Sequence, residues 1–161
     1  MISHSSTQTE YIGQRLGDLL QQGDVLLLLG EIGVGKTHLA KGIVQGMGSS
    51  DLVTSPSFVL VNEYRAGPRW PGLRIYHLDL YRIGDAAEVT TIGLDDMLDG
   101  AGVCLIEWAE RAADWLPVEH LAISLRPLDE TRRVLRFEPH GERYQHLVEA
   151  FRRAADKASR C

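Results

Sequence analysis

Apolar positions along this chain fall into runs of two kinds. Residues 24–29, Asp-Val-Leu-Leu-Leu-Leu, form an apolar run of strand length. Residues 37–47 then place Leu39, Ala40, Ile43, Val44 and Met47 at helical spacing. Upstream, Thr7-Gln-Thr-Glu has the form of a capping box. It predicts a helix with Tyr11, Ile12, Leu16, Leu19 and Leu20 inward and Gly23 at its end. Residues 54–64 read as a loop feeding a strand. Residues 65–72, with Gly67, Pro68, Pro71 and Gly72, read as a hairpin-type turn. Residues 73–81 make another strand, and the acidic, irregularly apolar stretch 85–99 suits one or two short helices. Residues 102–107 are a short apolar run closed by a carboxylate. Residues 120–126 and 132–138 pair around a turn near Pro127. Tyr144, Leu147, Val148 and Phe151 mark an amphipathic C-terminal helix. This alternation predicts an α/β domain with a mainly parallel sheet core, antiparallel strands at its edges and flanking helices.

Composition narrows the picture. A chain of 161 residues with 44% apolar content suits one domain over residues 1–161 with a sizeable core. The formal net charge of −5 argues against autonomous tight binding to nucleic acid, which relies on cations neutralising phosphates. The charge is uneven: residues 126–161 hold nine Arg/Lys against six Asp/Glu, while the remainder is strongly acidic. The basic end reads either as a solvated face of mixed charge or as a surface for RNA or an acidic partner. Two cysteines are too few for a disulfide framework. Cys104 lies in an apolar run and Cys161 at an exposed terminus, which suits a reducing compartment. No segment has the apolar length of a membrane span. Met-Ile-Ser-His-Ser-Ser lacks the basic start and apolar core of a signal peptide, so the expected location is cytoplasmic.

The chemistry begins where the first apolar run ends. Residues 30–37 read Gly-Glu-Ile-Gly-Val-Gly-Lys-Thr, the G-x-x-x-x-G-K-[ST] pattern of a phosphate-binding loop between strand and helix. Gly30, Ile32, Gly33, Val34 and Gly35 supply backbone that closes on phosphate oxygens. Lys36 brings positive charge to the β- and γ-phosphates, and the Thr37 hydroxyl can ligate Mg²⁺. The helix N-terminus adds its own partial positive charge. Hydrolysis also needs a carboxylate to hold Mg²⁺ from a second side and a positioned water. Two carboxylates compete for that role. Glu107 ends the run Val-Cys-Leu-Ile, where burial is costly without a cation or donors; the alternative is an exposed strand end paired with Arg111. Asp79 shares a strand face with His77; the alternative is a surface pair with Arg82. Trp108 either packs over the site or belongs to the core.

Gly-Glu-Ile-Gly-Val-Gly-Lys-Thr at 30, Ser-Pro-Ser-Phe at 55, Val-Asn-Glu-Tyr at 61, Tyr-His-Leu-Asp-Leu-Tyr-Arg at 76 and Ile-Glu-Trp-Ala-Glu-Arg at 106 occur in this order. The set resembles the TsaE family of small bacterial P-loop ATPases, from about Gly13 to Pro117 and more weakly beyond. The resemblance implies a P-loop NTPase-like fold and a part in making threonylcarbamoyladenosine, a tRNA modification beside the anticodon. It implies ATP and Mg²⁺ as cofactors and the proteins TsaB and TsaD as partners, with tRNA met only through the complex. By the same resemblance, Lys36 and the loop amides from Gly33 hold phosphates, and Thr37 and Glu107 are the Mg²⁺ ligands. Asp79 supports the metal or the attacking water, and Trp108 lies beside the active site. Thr54, Ser55, Pro56, Ser57 and Phe58 correspond to a switch-like loop near the γ-phosphate, and Arg132 to a basic residue near the nucleotide. Ser6 and Thr7, at the first helix start, are expected near the adenine. The chain departs from the family at His38, where a second Thr often touches the α-phosphate, and at Ser57, commonly Thr.

Three functions are compatible with these residues: a partner-stimulated ATPase, a nucleotide-dependent switch, or a small-molecule P-loop kinase. A kinase usually closes an Arg-rich lid over its phosphates, and residues 85–100 contain neither Arg nor Lys. The Asn-Lys-x-Asp signature of guanine binding is absent from the sequence, which favours ATP.

Overall fold

The computed structural model describes residues 1–158. Cys161, expected at an exposed terminus, lies outside them. Among the described residues seven strands form one sheet: β1 (Ile2–Ser3), β2 (Val25–Leu29), β3 (Val61–Arg65), β4 (Arg74–Asp79), β5 (Val103–Glu107), β6 (His120–Pro127) and β7 (Arg133–His140). Their order is β1-β7-β6-β2-β5-β4-β3. The four central strands β6, β2, β5 and β4 run parallel; at one edge β3 pairs antiparallel with β4, and at the other β7 pairs antiparallel with β6 and β1 antiparallel with β7. The fold is therefore the α/β sheet that the pattern predicts. The short β1 had no counterpart in the pattern, being two residues long.

The apolar runs are unbroken where a strand is covered on both faces. Leu26 and Leu28 of β2 enter a core with α1 (Ser6–Gly17), α2 (Lys36–Gly46) and α5 (Glu142–Ala158). Val25 and Leu27 enter the opposite core, with α3 (Ala86–Thr91), α4 (Leu94–Met97) and the 3₁₀ turn Ala109–Trp115. The edge strand β3 buries only Tyr64.

The first helix begins earlier than the Thr7–Glu10 box implies. Ser5 is the N-cap; its side chain accepts from the Gln8 backbone N–H at 3.0 Å, and the Gln8 side chain accepts from His4 N–H at 2.7 Å. Ser5-x-x-Gln8 thus does the work of a capping box. The helix ends at Gly17, before Gly23, and Tyr11 faces out. Ile12, Leu16 and Leu20 are buried as expected.

Helices α1 and α2 meet backbone to backbone. A Cβ on Gly42 would lie 2.0 Å from the Glu10 carbonyl oxygen, and one on Gly46 2.1 Å from that of Gln14. Reciprocally, Gly13 and Gly17 face the Leu39 and Ile43 carbonyls. Glycine is required here by close approach, since any side chain would separate the helices.

Candidate active site

The end of β2 turns directly into α2 through residues 30–35. Gly30, Gly33 and Gly35 have φ of +147°, +77° and +119°, values that a side chain would strain. Gly35 is the N-cap of α2 and carries no capping side chain. The N–H groups of the first helical turn, from Lys36 and Thr37 onward, therefore have no acceptor within the helix. Ile32 is exposed at the loop tip, whereas Val34 is buried.

Lys36 is almost wholly buried. Its ammonium donates to the Gly30 carbonyl and, at 3.2 Å, to that of Glu31, and it stands 4.6 Å from the centre of the Trp108 ring. Burial pulls the Lys36 pKa below the usual lysine range, against the opposing pull of Glu107, Asp79 and Glu110. The site thus gathers one cation against several carboxylates.

Those carboxylates come from neighbouring parallel strands. Asp79 and Glu107 are register partners at the ends of β4 and β5, and Glu107 pairs with Leu28 next to the phosphate loop. Both are buried, at 5% and 4% exposure, which removes the surface pairings open in the sequence. Arg82 lies over Phe58 and Arg111 over Tyr81 instead. Asp79 Oδ2 accepts from the Ser57 hydroxyl at 3.0 Å, and its Oδ1 accepts from the Tyr81 N–H at 2.9 Å. Glu107 Oε2 lies 2.7 Å from His77 Nε2. Trp108 follows Glu107 in the left-handed region, φ +55°, and its ring packs 4.9 Å from that of Tyr81. This turn ends β5 and opens the 3₁₀ segment, so Trp108 joins both the site and the adjoining core.

The loop at 54–58 is tied to the site by its centre. Ser55 and Ser57 hydroxyls are 2.7 Å apart, and Pro56 is buried. Thr54 is held by Asn62 and Tyr64 of β3. Phe58 is 83% exposed, and Leu60 beyond it has a left-handed φ of +68°.

Two expected site residues, His38 and Arg132, pair with neighbouring side chains. His38 Nδ1 sits 2.7 Å from Glu10 Oε1 on α1. Lys41 joins the same carboxylate at 3.2 Å. Burial opposes the Glu10 charge, but the His38 and Lys41 hydrogen bonds outweigh it and leave its pKa lowered. Ser6 and Thr7 open α1 one turn before Glu10. Arg132 donates to Asp129 of its own turn at 2.6 Å. The arginine that touches the phosphate loop is the next one: Arg133 Nε donates to the Val34 carbonyl at 2.5 Å. Sequence reading missed Arg133 and the His77–Glu107 contact. Period two on β4 and β5 hinted at the second; the strand register needed for the first is set only by the β6–β7 turn.

Among the described residues, no three or more His, Cys, Asp or Glu side chains are grouped to hold a metal. Mg²⁺ beside a phosphate chain needs no such cage, since one or two protein ligands complete a shell of phosphate and water. The buried Glu107 carboxylate and the Thr37 hydroxyl, at the start of α2, are hard oxygen donors of the right kind.

A glycine loop between a parallel strand and a helix, with a buried lysine and carboxylates on adjacent strand ends, defines a P-loop nucleotide-binding protein. Residues 3–135 match the family model described as threonylcarbamoyl adenosine biosynthesis protein TsaE. The TsaE protein of Bacillus subtilis is 38% identical over 146 residues, covering 91% of this chain and 89% of that one. That of Treponema pallidum is 38% identical over 132 residues, covering 82% and 94%. The crystal structure of Bacillus subtilis YdiB superposes with a TM-score of 0.81 at 33% identity, covering 96% of this chain and 94% of that one. The chain belongs to the TsaE family of tRNA threonylcarbamoyladenosine biosynthesis.

Proposed function

We propose that this protein is a Mg²⁺-dependent ATPase, weak alone, that works with TsaB and TsaD as a switch or reset factor in forming threonylcarbamoyladenosine on tRNA in the cytoplasm. The observation that carries this reading is the convergence of Lys36, Asp79 and Glu107 on the phosphate loop from three adjacent elements. Lys36 stabilises charge on the transferring phosphoryl group, helped by the first-turn amides of α2. Thr37 and Glu107 are the residues that would hold Mg²⁺, which, when bound, neutralises the β- and γ-phosphate oxygens. Asp79, with one oxygen on the Tyr81 amide and the other on Ser57, orients the attacking water or supports the metal shell. The Ser57–Asp79 bond couples the 54–58 loop to the site, as a γ-phosphate sensor requires. Helices α3 and α4, where a kinase lid would need arginines, contain neither Arg nor Lys. This favours water over a metabolite as the phosphoryl acceptor.

The test is phosphate release from ATP by the protein alone and with TsaB and TsaD. A rate raised at least tenfold by the pair is expected, and abolished in Lys36→Ala. Equal rates with and without the pair would defeat the coupling. Phosphate appearing on an added metabolite would favour the kinase.

A further inference from the structure

The one buried side-chain polar atom that has no hydrogen-bond partner among the described residues is Nδ1 of His77. The residue is completely buried, on the same face of β4 as Asp79. Its register partner on β5 is Leu105, so Glu107 lies one step further toward the loop on that face. The imidazole reaches up to Glu107 Oε2 at 2.7 Å. Two acceptors cannot share that distance without a proton between them. An N–H at Nε2 donating to the Glu107 carboxylate leaves Nδ1 as the unpartnered nitrogen. An imidazole buried at the cost of an unpaired nitrogen serves packing poorly, since Leu or Phe would fill the space without that penalty.

We propose that His77 is the positioning residue for Glu107. It fixes the side chain by holding Oε2 and so directs Oε1 to the metal that accompanies the nucleotide. No donor among the described residues takes Oε1, whereas Oε2 is committed. Such outer hydrogen bonds orient a ligating carboxylate and typically change metal affinity by about 10–100-fold when removed. The inference rests on the proposed role of Glu107 as a Mg²⁺ ligand.

The experiment titrates Mg²⁺ against binding of a fluorescent ATP analogue to the full-length protein, with EDTA as the metal-free reference. His77→Phe keeps the ring and loses the donor; His77→Gln returns an N–H near the Nε2 position. We expect His77→Phe to raise the Mg²⁺ midpoint about tenfold, to leave metal-free binding unchanged, and His77→Gln to recover most of the loss. A wild-type midpoint in a folded His77→Phe protein, or no recovery in His77→Gln, overturns the inference. Glu107→Ala separates the two layers. If it leaves the midpoint unmoved, the metal role of Glu107 fails and the inference with it. If it moves the midpoint and His77→Phe does not, only the inference fails. Long-range ¹⁵N–¹H NMR of the wild-type imidazole tests the geometry without a substitution: a proton on Nε2 and a bare Nδ1 are expected, and a proton on Nδ1 alone overturns the proposal.

Discussion

Cys104 shows how far burial can silence a reactive side chain. Its thiol donates to the Met97 carbonyl at 3.1 Å inside β5, and burial, with Asp99 adding to it, pushes its pKa up to about 12. The thiolate is the nucleophile, so the folded protein holds Cys104 inert at ordinary pH. In a Cys161→Ser background, a thiol reagent at pH 8 should label Cys104 only after denaturant is added; labelling of the native protein would contradict its burial. The same residue scale separates what the sequence makes legible from what it hides. The places of Lys36 and Thr37 were readable because a glycine loop and a helix start fix the backbone around them. The burial of Glu107 was one of two readings the sequence left open, the one favoured by the apolar run before it. Arg133 was not readable, because Arg132 and Arg133 are adjacent and only the turn preceding β7 decides which one faces the loop. The pairing of His38 with Glu10 was not legible either, because only the packing of α1 on α2 brings that carboxylate within 2.7 Å of the imidazole.

At the scale of elements, the α1–α2 contact makes a prediction opposite to helix propensity. Ala stabilises an exposed helix by about 1 kcal/mol relative to Gly. In Gly42→Ala the new methyl meets the Glu10 carbonyl at 2.0 Å, a main-chain atom that cannot step aside cheaply. A net loss of about 2 kcal/mol is expected, read as a lower urea midpoint. An unchanged midpoint would mean that the helices part without penalty. Helix and strand positions were legible from periodicity because β2 and β5 are covered on both faces. Their ends were less so. The strand expected over 73–81 stops at Asp79, where the chain bends so that the Tyr81 amide can meet the Asp79 carboxylate. The capping box shifted by two residues because Ser5 and Gln8 offer the same chemistry as Thr7 and Glu10.

Across the whole molecule, α5 is fastened to the start of β2 by one charged pair. Arg143 Nε and Nη2 grip Asp24 Oδ1 and Oδ2 at 2.9 and 2.6 Å, and Nη2 also reaches the Leu19 carbonyl at 3.1 Å. Nearby, the Tyr144 hydroxyl accepts from the Val25 N–H at 2.8 Å. Asp24 is buried, so Arg143→Ala strands a charge; a loss of about 3 kcal/mol is expected, or a Tm lower by roughly 6–12 °C. Adding Asp24→Asn should recover part of it, and calorimetry of both variants checks the pair. A drop caused equally by Arg153→Ala, on an exposed part of α5, would show that the loss is generic to the helix. The order of strands in the sheet was not legible, because the apolar runs do not state their neighbours. Parallel centre and antiparallel edges were, since hairpin-length links can join only antiparallel strands.

The glycine contact between α1 and α2 has a mechanical meaning as well. Two helices that touch through their main chains have no deformable layer of side chains between them. The phosphate loop, rooted in α2, is thus bolted to the N-terminal helix, and a push from a nucleotide on this side has nothing to compress. On the proposed switch role, yielding falls to the far side of the site, in the stretch from Thr54 to Leu60, whose only side-chain bond to Asp79 among the described residues is the Ser57 hydroxyl, beside the main-chain bond from the Asp79 N–H to the Leu60 carbonyl, and whose Phe58 already faces solvent. On the proposed function, a floor this stiff would turn a small change at the γ-phosphate into movement of one loop.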